Sequence, residues 1–122
     1  MTASLSGLQI ALLVAYAAGM AGGQLLFKAA ALRMPAEGTM VERLAALAQN
    51  GYFLAALALY LALSLLWVWL LRVTPLSRAY LFVALSFVLV PLAAAAAFEE
   101  PLSARFVLGA VLTICGLLLV VT

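Results

Sequence analysis

Four apolar runs separated by short polar breaks make up most of this sequence, at residues 8–32, 52–71, 79–98 and 103–121. A helix rising 1.5 Å per residue needs about 20 apolar residues to cross the hydrocarbon of a bilayer, and each run has roughly that length or a little more. Within lipid the backbone has no water to bond, so a spanning segment must satisfy its own N–H and C=O groups, which selects helices. Composition agrees, with 70% of residues hydrophobic and 8% charged, against about a quarter charged in a soluble domain. Four crossings use roughly 80 residues of the 122. The remainder suffices for loops and ends but not for a soluble lobe. Residues 1–122 are therefore expected to form one membrane domain of the all-α class, with four transmembrane helices. Its function is to be sought among polar side chains inside the bilayer or at its edge.

The chain has no Asp and no His, so the usual zinc sites and Ser-His-Asp sets cannot be assembled. No catalytic residue, metal ligand or cofactor is expected, and the chain does not read as an enzyme. Six basic and four acidic residues give a net charge of +2, and no nucleic-acid partner is expected. The single cysteine, Cys115, lies in an apolar run and reads as packing. The N-terminal stretch carries no Lys or Arg before the first apolar run, and that run is longer than the apolar part of a cleaved signal peptide. It reads as a retained first span.

The breaks set the connectivity. Arg33, Met34 and Pro35 end the first run, because proline disfavours a helical residue before it. Residues 39–49 open with Thr39 and Glu42 at capping-box spacing and repeat Leu44, Leu47 and Ala48 on one face, which predicts a short helix in the membrane interface. Asn50-Gly51 is a break, and Tyr52, Trp67 and Trp69 fall where aromatic belts sit. The link from Arg72 to Arg78 allows only a tight reversal, so spans 2 and 3 run antiparallel. Pro91 removes a backbone donor within span 3 and predicts a kink there. Loops 1-2 and 3-4 carry Arg33, Arg43 and Arg105, while loop 2-3 carries Arg72 and Arg78. That bias is too small to orient the chain, and both a dual-topology dimer and a fixed orientation with loop 2-3 inside fit it.

Lys28 is the most informative polar residue. A cation within a span is costly and marks function by default, although one turn from a helix end lysine can also snorkel to the headgroups. Gln24 lies one turn earlier on nearly the same face, and Ala17 and Ala21 continue the stripe. Together Gln24 and Lys28 form a candidate site for an anionic headgroup. Gly19 and Gly23 make a G-x-x-x-G pair suited to close helix packing. Gly109, Thr113 and Gly116 form a second small-residue face in span 4, for contact within the chain or between two chains. Arg72 and Arg78 read either as lipid-phosphate anchors or as substrate contacts at the opposite mouth. Tyr80 stands near them, while Tyr60, Ser64 and Ser86 lie deeper, where hydroxyls commonly bond backbone carbonyls. Glu99 and Glu100 form a turn at a helix end.

The four-span layout, the Gly-Gln-Leu-Leu-Phe-Lys run from Gly23 to Lys28, the Thr-Pro-Leu-Ser-Arg-Ala-Tyr segment from Thr74 to Tyr80, the Phe-Glu-Glu-Pro-Leu-Ser turn from Phe98 to Ser103 and the spaced glycines of span 4 resemble the small-multidrug-resistance-like branch of the drug/metabolite transporter superfamily. The multidrug exporters of that branch carry a glutamate in span 1, eight residues before the lysine, where this chain has Met20. Of the aromatic set they use in span 3, only Tyr80 is matched. The sequence is more similar to the subunits that flip aminoarabinose-linked undecaprenyl phosphate in the Gram-negative inner membrane. That resemblance implies translocation of an anionic, polyprenyl-phosphate-linked lipid by a homodimer or by a heterodimer with a related small subunit. Gln24 and Lys28 would hold the phosphate, and Arg72, Arg78 and Tyr80 would act at the other mouth, with Tyr60, Ser64 and Ser86 between. Movement would come from Pro91, the turn at Glu99 and Glu100, and the glycine faces. Two other readings stay open: an exporter of small amphipathic molecules, and a non-transporting subunit of a lipid-modifying system.

Overall fold

The computed structural model describes residues 5–121, and all regular structure in them is helical. The elements are α1 (Gly7–Leu32), α2 (Met40–Ala48), α3 (Gly51–Val73), α4 (Leu76–Ala84), α5 (Ser86–Phe98) and α6 (Ala104–Val121). Helix α1, helix α3 and the continuous run of α4 and α5 are each long and apolar enough to cross a bilayer, and α6 is a shorter apolar helix.

Each start has a side-chain cap, α4 and the continuation α5 excepted. Ser6 and Gln9 form a reciprocal capping box on α1, the Ser6 hydroxyl accepting from the Gln9 N–H at 3.1 Å and the Gln9 side chain accepting from the Ser6 N–H at 2.8 Å. Thr39 and Glu42 do the same for α2, as their spacing predicts. Asn50 caps α3, its side-chain oxygen accepting from the N–H groups of Tyr52 and Phe53, while its amide donates to the Ala30 carbonyl near the end of α1 at 3.1 Å. Ser103 caps α6 through the Phe106 N–H. The carbonyl of Pro75 opens α4 by accepting from Arg78 and Ala79, so this helix starts three residues earlier than the apolar pattern suggests. Glu99, at φ 55°, turns the chain out of α5 in the left-handed region.

The interruption of the third long helix falls at Leu85, not at Pro91, which lies inside α5. The Leu85 N–H bonds the Phe82 carbonyl in a tightened turn. Beside it the Ser86 hydroxyl donates to the Val83 carbonyl at 2.6 Å, satisfying an acceptor at the break.

Helix α1 lies at the centre, with α3 on one side and α4 and α5 on the other, and α6 packs outside against α4 and α5. The tight reversal through Thr74 and Pro75 is present, yet α3 packs mainly on α1 rather than on its sequence neighbour. Leu13, Leu70 and Ala79 form the buried cluster where α1, α3 and α4 meet, and Leu13 and Leu70 are fully enclosed. Trp67 turns inward onto Tyr16, the rings stacked 4.8 Å apart, so of the three expected belt aromatics only Tyr52 and Trp69 are exposed. The Gln9 side chain donates to the Val73 carbonyl at 2.6 Å and to the Thr74 hydroxyl at 3.1 Å, tying the start of α1 to the end of α3. Leu61, Leu65, Val68, Leu108, Leu112 and Leu119 are exposed, an outer surface too apolar for water and suited to lipid.

Candidate functional site

Met20, Gln24 and Lys28 recur every four residues on α1 and so line one face of it. With Leu25 they form one wall of a groove whose other wall is Val83, Ser86, Phe87, Val90, Pro91, Ala94, Phe98 and Glu100. The groove consists of two adjoining recesses of about 370 Å³ and 320 Å³, which share Gln24, Val90 and Pro91. Lys28 and Glu100 lie together at one end. Both are exposed, and neither has a hydrogen-bond or ion-pair partner among the described residues.

Gln24 is held in place from the opposite face of α1. Its amide donates to the Tyr60 hydroxyl at 2.7 Å, and that hydroxyl donates to the Met20 carbonyl at 3.2 Å. The Tyr60 ring stacks on Phe27 with centroids 5.3 Å apart and fills the space left by the missing side chain of Gly23, where a Cβ would come within 2.5 Å of the ring. Leu63 fits against Gly19 in the same manner, at 2.8 Å. The G-x-x-x-G pair of α1 thus seats α3 of the same chain. On α6, by contrast, a Cβ at Gly109 or Gly116 would meet nothing within 4 Å, and the Thr113 hydroxyl donates to the Gly109 carbonyl.

The residues singled out from the sequence separate into two groups. Gln24, Lys28 and Ser86 line the groove, and Tyr60 reaches it through Gln24. The Ser64 hydroxyl donates to the Tyr60 carbonyl of its own helix, and that of Ser86 serves the break at Leu85. Arg72, Arg78 and Tyr80 stand at the other end, where Gln9 ties α1 to α3. That end is about 28 Å from Lys28 along α1, from Gln9 at 1.5 Å per residue, so these three do not share a cavity with Lys28. Glu99 occupies the left-handed turn, while Glu100 belongs to the groove wall and not only to the turn. Its placement was implicit in the connectivity: the first and third long helices run parallel, so their C-terminal ends reach the same surface.

The site therefore combines a free ammonium and a free carboxylate at its mouth with a pinned amide deeper in and apolar walls. Such a cleft suits a molecule with an ionic head and a hydrocarbon tail. No group of three or more His, Cys, Asp or Glu side chains able to hold a metal ion occurs among the described residues.

No family model matches the chain, and no solved structure matches it. Two proteins named as probable 4-amino-4-deoxy-L-arabinose-phosphoundecaprenol flippase subunit ArnE are similar to it. The one from Pseudomonas aeruginosa is 45% identical over 67 residues, covering 55% of this chain and 57% of the relative. The one from Enterobacter sp. is 35% identical over 69 residues, covering 57% of this chain and 64% of the relative. The matched part thus spans less than two thirds of either relative. The resemblance to aminoarabinose-phosphoundecaprenol flippase subunits, first read from the motifs, is found independently in these two proteins.

Proposed function

We propose that this multi-pass membrane protein moves an anionic lipid, a polyprenyl-phosphate-linked carrier, between the leaflets of the bacterial inner membrane. In this reading α6 is a fourth crossing. Its 18 residues span about 27 Å at 1.5 Å per residue, close to the hydrocarbon thickness of about 30 Å. Helix α2, with Met40 and Val41 exposed at 71% and 77%, lies in the interface with these side chains in lipid.

The observation that carries the proposal is the groove with Lys28 unpaired at its mouth. Lys28 forms no ion pair with Glu100 at the same end of the groove, so its charge is available to a phosphate, and the apolar walls from Met20 to Phe98 accept the first units of a polyprenyl tail. Gln24, oriented by Tyr60, offers a polar contact deeper along the path. Alternating access follows if α5 rocks against α1 about the break at Leu85, opening the groove towards Arg72, Arg78 and Tyr80. A homodimer, or a pair with a related small subunit, supplies the enclosure that one chain lacks.

Native mass spectrometry of mildly extracted protein tests this reading, with undecaprenyl phosphate offered against phosphatidylglycerol to wild type and Lys28→Ala. Wild type is expected to retain the polyprenyl phosphate preferentially. Lys28→Ala is expected to lose about 1 kcal/mol of that preference, or about fivefold. Absence of any preference in wild type overturns the proposal, and preference undiminished in Lys28→Ala removes Lys28 from the site.

A further inference from the structure

A second recess, of about 600 Å³ and open to the surroundings, lies on the other side of α1, bordered by the end of α1, by α2 and by the start of α3. Leu26, Ala46, Gly51 and Ala55 line it together with Arg33, Asn50 and Tyr52. Leu26 and Lys28 are about 200° apart around the helix at 100° per residue, so this recess and the groove face different directions.

Its polar end has one unsatisfied charge. Asn50 is engaged at both ends, its oxygen accepting from Tyr52 and Phe53 and its amide donating to Ala30. The Arg33 guanidinium carbon sits over the Tyr52 ring, 4.2 Å from the centroid, and Nη1 donates to the Ala29 carbonyl at 3.2 Å. No carboxylate pairs with Arg33 among the described residues, and its Nε and Nη2 hold no hydrogen bond. The nearby Glu42 is occupied in the cap of α2, and Arg43 bonds the Ala36 carbonyl. The Tyr52 hydroxyl has no partner. The rest of the lining is apolar and small. At Gly51 even a Cβ would meet nothing within 4 Å, which leaves width for a hydrocarbon chain.

We propose that this recess binds an anionic glycerophospholipid of the surrounding bilayer, its phosphate on Arg33 and Tyr52 and one acyl chain over Leu26, Ala46 and Ala55. The ring beneath it and the Ala29 carbonyl position the guanidinium, so its free Nε and Nη2 N–H groups are available to phosphate oxygens. The depth is right for a headgroup, since Arg33 ends α1 and Asn50 opens α3 at one membrane surface. The bound lipid joins the ends of three helices and is distinct from any molecule moved through the groove.

The test is native mass spectrometry of the full chain with phosphatidylglycerol and phosphatidylethanolamine of identical acyl chains. Wild type is expected to retain phosphatidylglycerol about fivefold more, the size of one arginine contact with an anionic headgroup. Arg33→Gln is expected to abolish that preference by removing the charge, and Ala55→Phe by filling the recess. Arg105→Gln, at another exposed arginine that lines neither the recess nor the groove, and Lys28→Ala, in the groove, are expected to keep it. Retention by Arg33→Gln overturns the proposal. Equal loss in Arg105→Gln overturns it in favour of general surface charge, and loss in Lys28→Ala alone assigns the lipid to the groove. Retention by Ala55→Phe removes the acyl chain from the recess. Because the Lys28 and Arg33 arms are independent, either site can fail without the other.

Discussion

At the scale of single residues, three neighbouring glycines of α1 have three different surroundings. A Cβ at Gly23 would sit 2.5 Å from the Tyr60 ring, one at Gly19 would sit 2.8 Å from the end of the Leu63 side chain, and one at Gly22 would meet nothing within 4 Å. An aromatic ring held by Phe27 and two hydrogen bonds cannot step aside, whereas a leucine methyl can rotate. Gly23→Ala is therefore expected to cost about 1–3 kcal/mol, in the range of overpacking, and to break the Gln24 to Tyr60 bond. Gly19→Ala is expected to cost less, and Gly22→Ala to be neutral or to gain up to about 1 kcal/mol from helix propensity. Apparent melting temperatures in detergent check the order, and a Gly23→Ala protein as stable as Gly22→Ala would refute the assigned packing. The sequence shows the glycine pair and its suitability for close approach. It does not show the partner, because Tyr60 and Leu63 lie in a run where almost every residue is apolar and facing a helix looks the same as facing lipid. The unpaired state of Arg33 is hidden for the same reason: an arginine after a span reads as an anchor whatever lies beneath it.

At the scale of elements, the ends of helices were more legible than their faces. The Thr39 and Glu42 spacing, the Asn50-Gly51 break and the Arg33-Met34-Pro35 stop all work through local backbone chemistry, and the structure places helix ends at each. The break at Leu85 carries no comparable signal, and Pro91, which does, sits inside α5. Asn50 does more than a local pattern can express, since the side chain that caps α3 also bonds the end of α1. Asn50→Ala is accordingly expected to cost about 2 kcal/mol, the upper end for a cap, because the link from α3 to the Ala30 carbonyl is lost as well, although that carbonyl keeps the Arg33 N–H. Thr39→Ala, which removes only the cap of an exposed helix, is expected to cost about 0.5–1 kcal/mol. Thermal unfolding followed by helical circular dichroism separates the two. Equal losses would mean that the link from Asn50 to Ala30 contributes nothing to holding α1 and α3 together.

At the scale of the whole molecule, the surface left uncovered is uneven. Helix α1 is packed on two sides, whereas α6 packs mainly on α4 and α5 and leaves Val107, Leu108, Val111, Leu112 and Leu118 exposed. In lipid such exposure is no penalty by itself, because hydrocarbon tails solvate leucine as well as another leucine does. What decides association is how closely backbones can approach, and there the two glycine pairs differ. The pair on α1 is already occupied by α3, while Gly109 and Gly116 stand two turns apart with open space beside them. The hydroxyl of Thr113 between them donates to the Gly109 carbonyl, so the stretch between the two glycines leaves no hydroxyl unbonded. If the chain works as a pair, α6 is the helix with room for the second copy or the related subunit. Gly116→Leu adds a bulky side chain to that seam at a position where a Cβ meets nothing within 4 Å among the described residues. It is expected to lower the paired fraction several-fold while leaving the melting temperature of the single chain unchanged. Native mass spectra at matched detergent concentration measure the first quantity, and circular dichroism melts the second. A pair that survives Gly109→Leu and Gly116→Leu together would place the interface away from this face of α6. The enclosure of the Lys28 groove would then have to come from the face of α5 and α1 on which it opens.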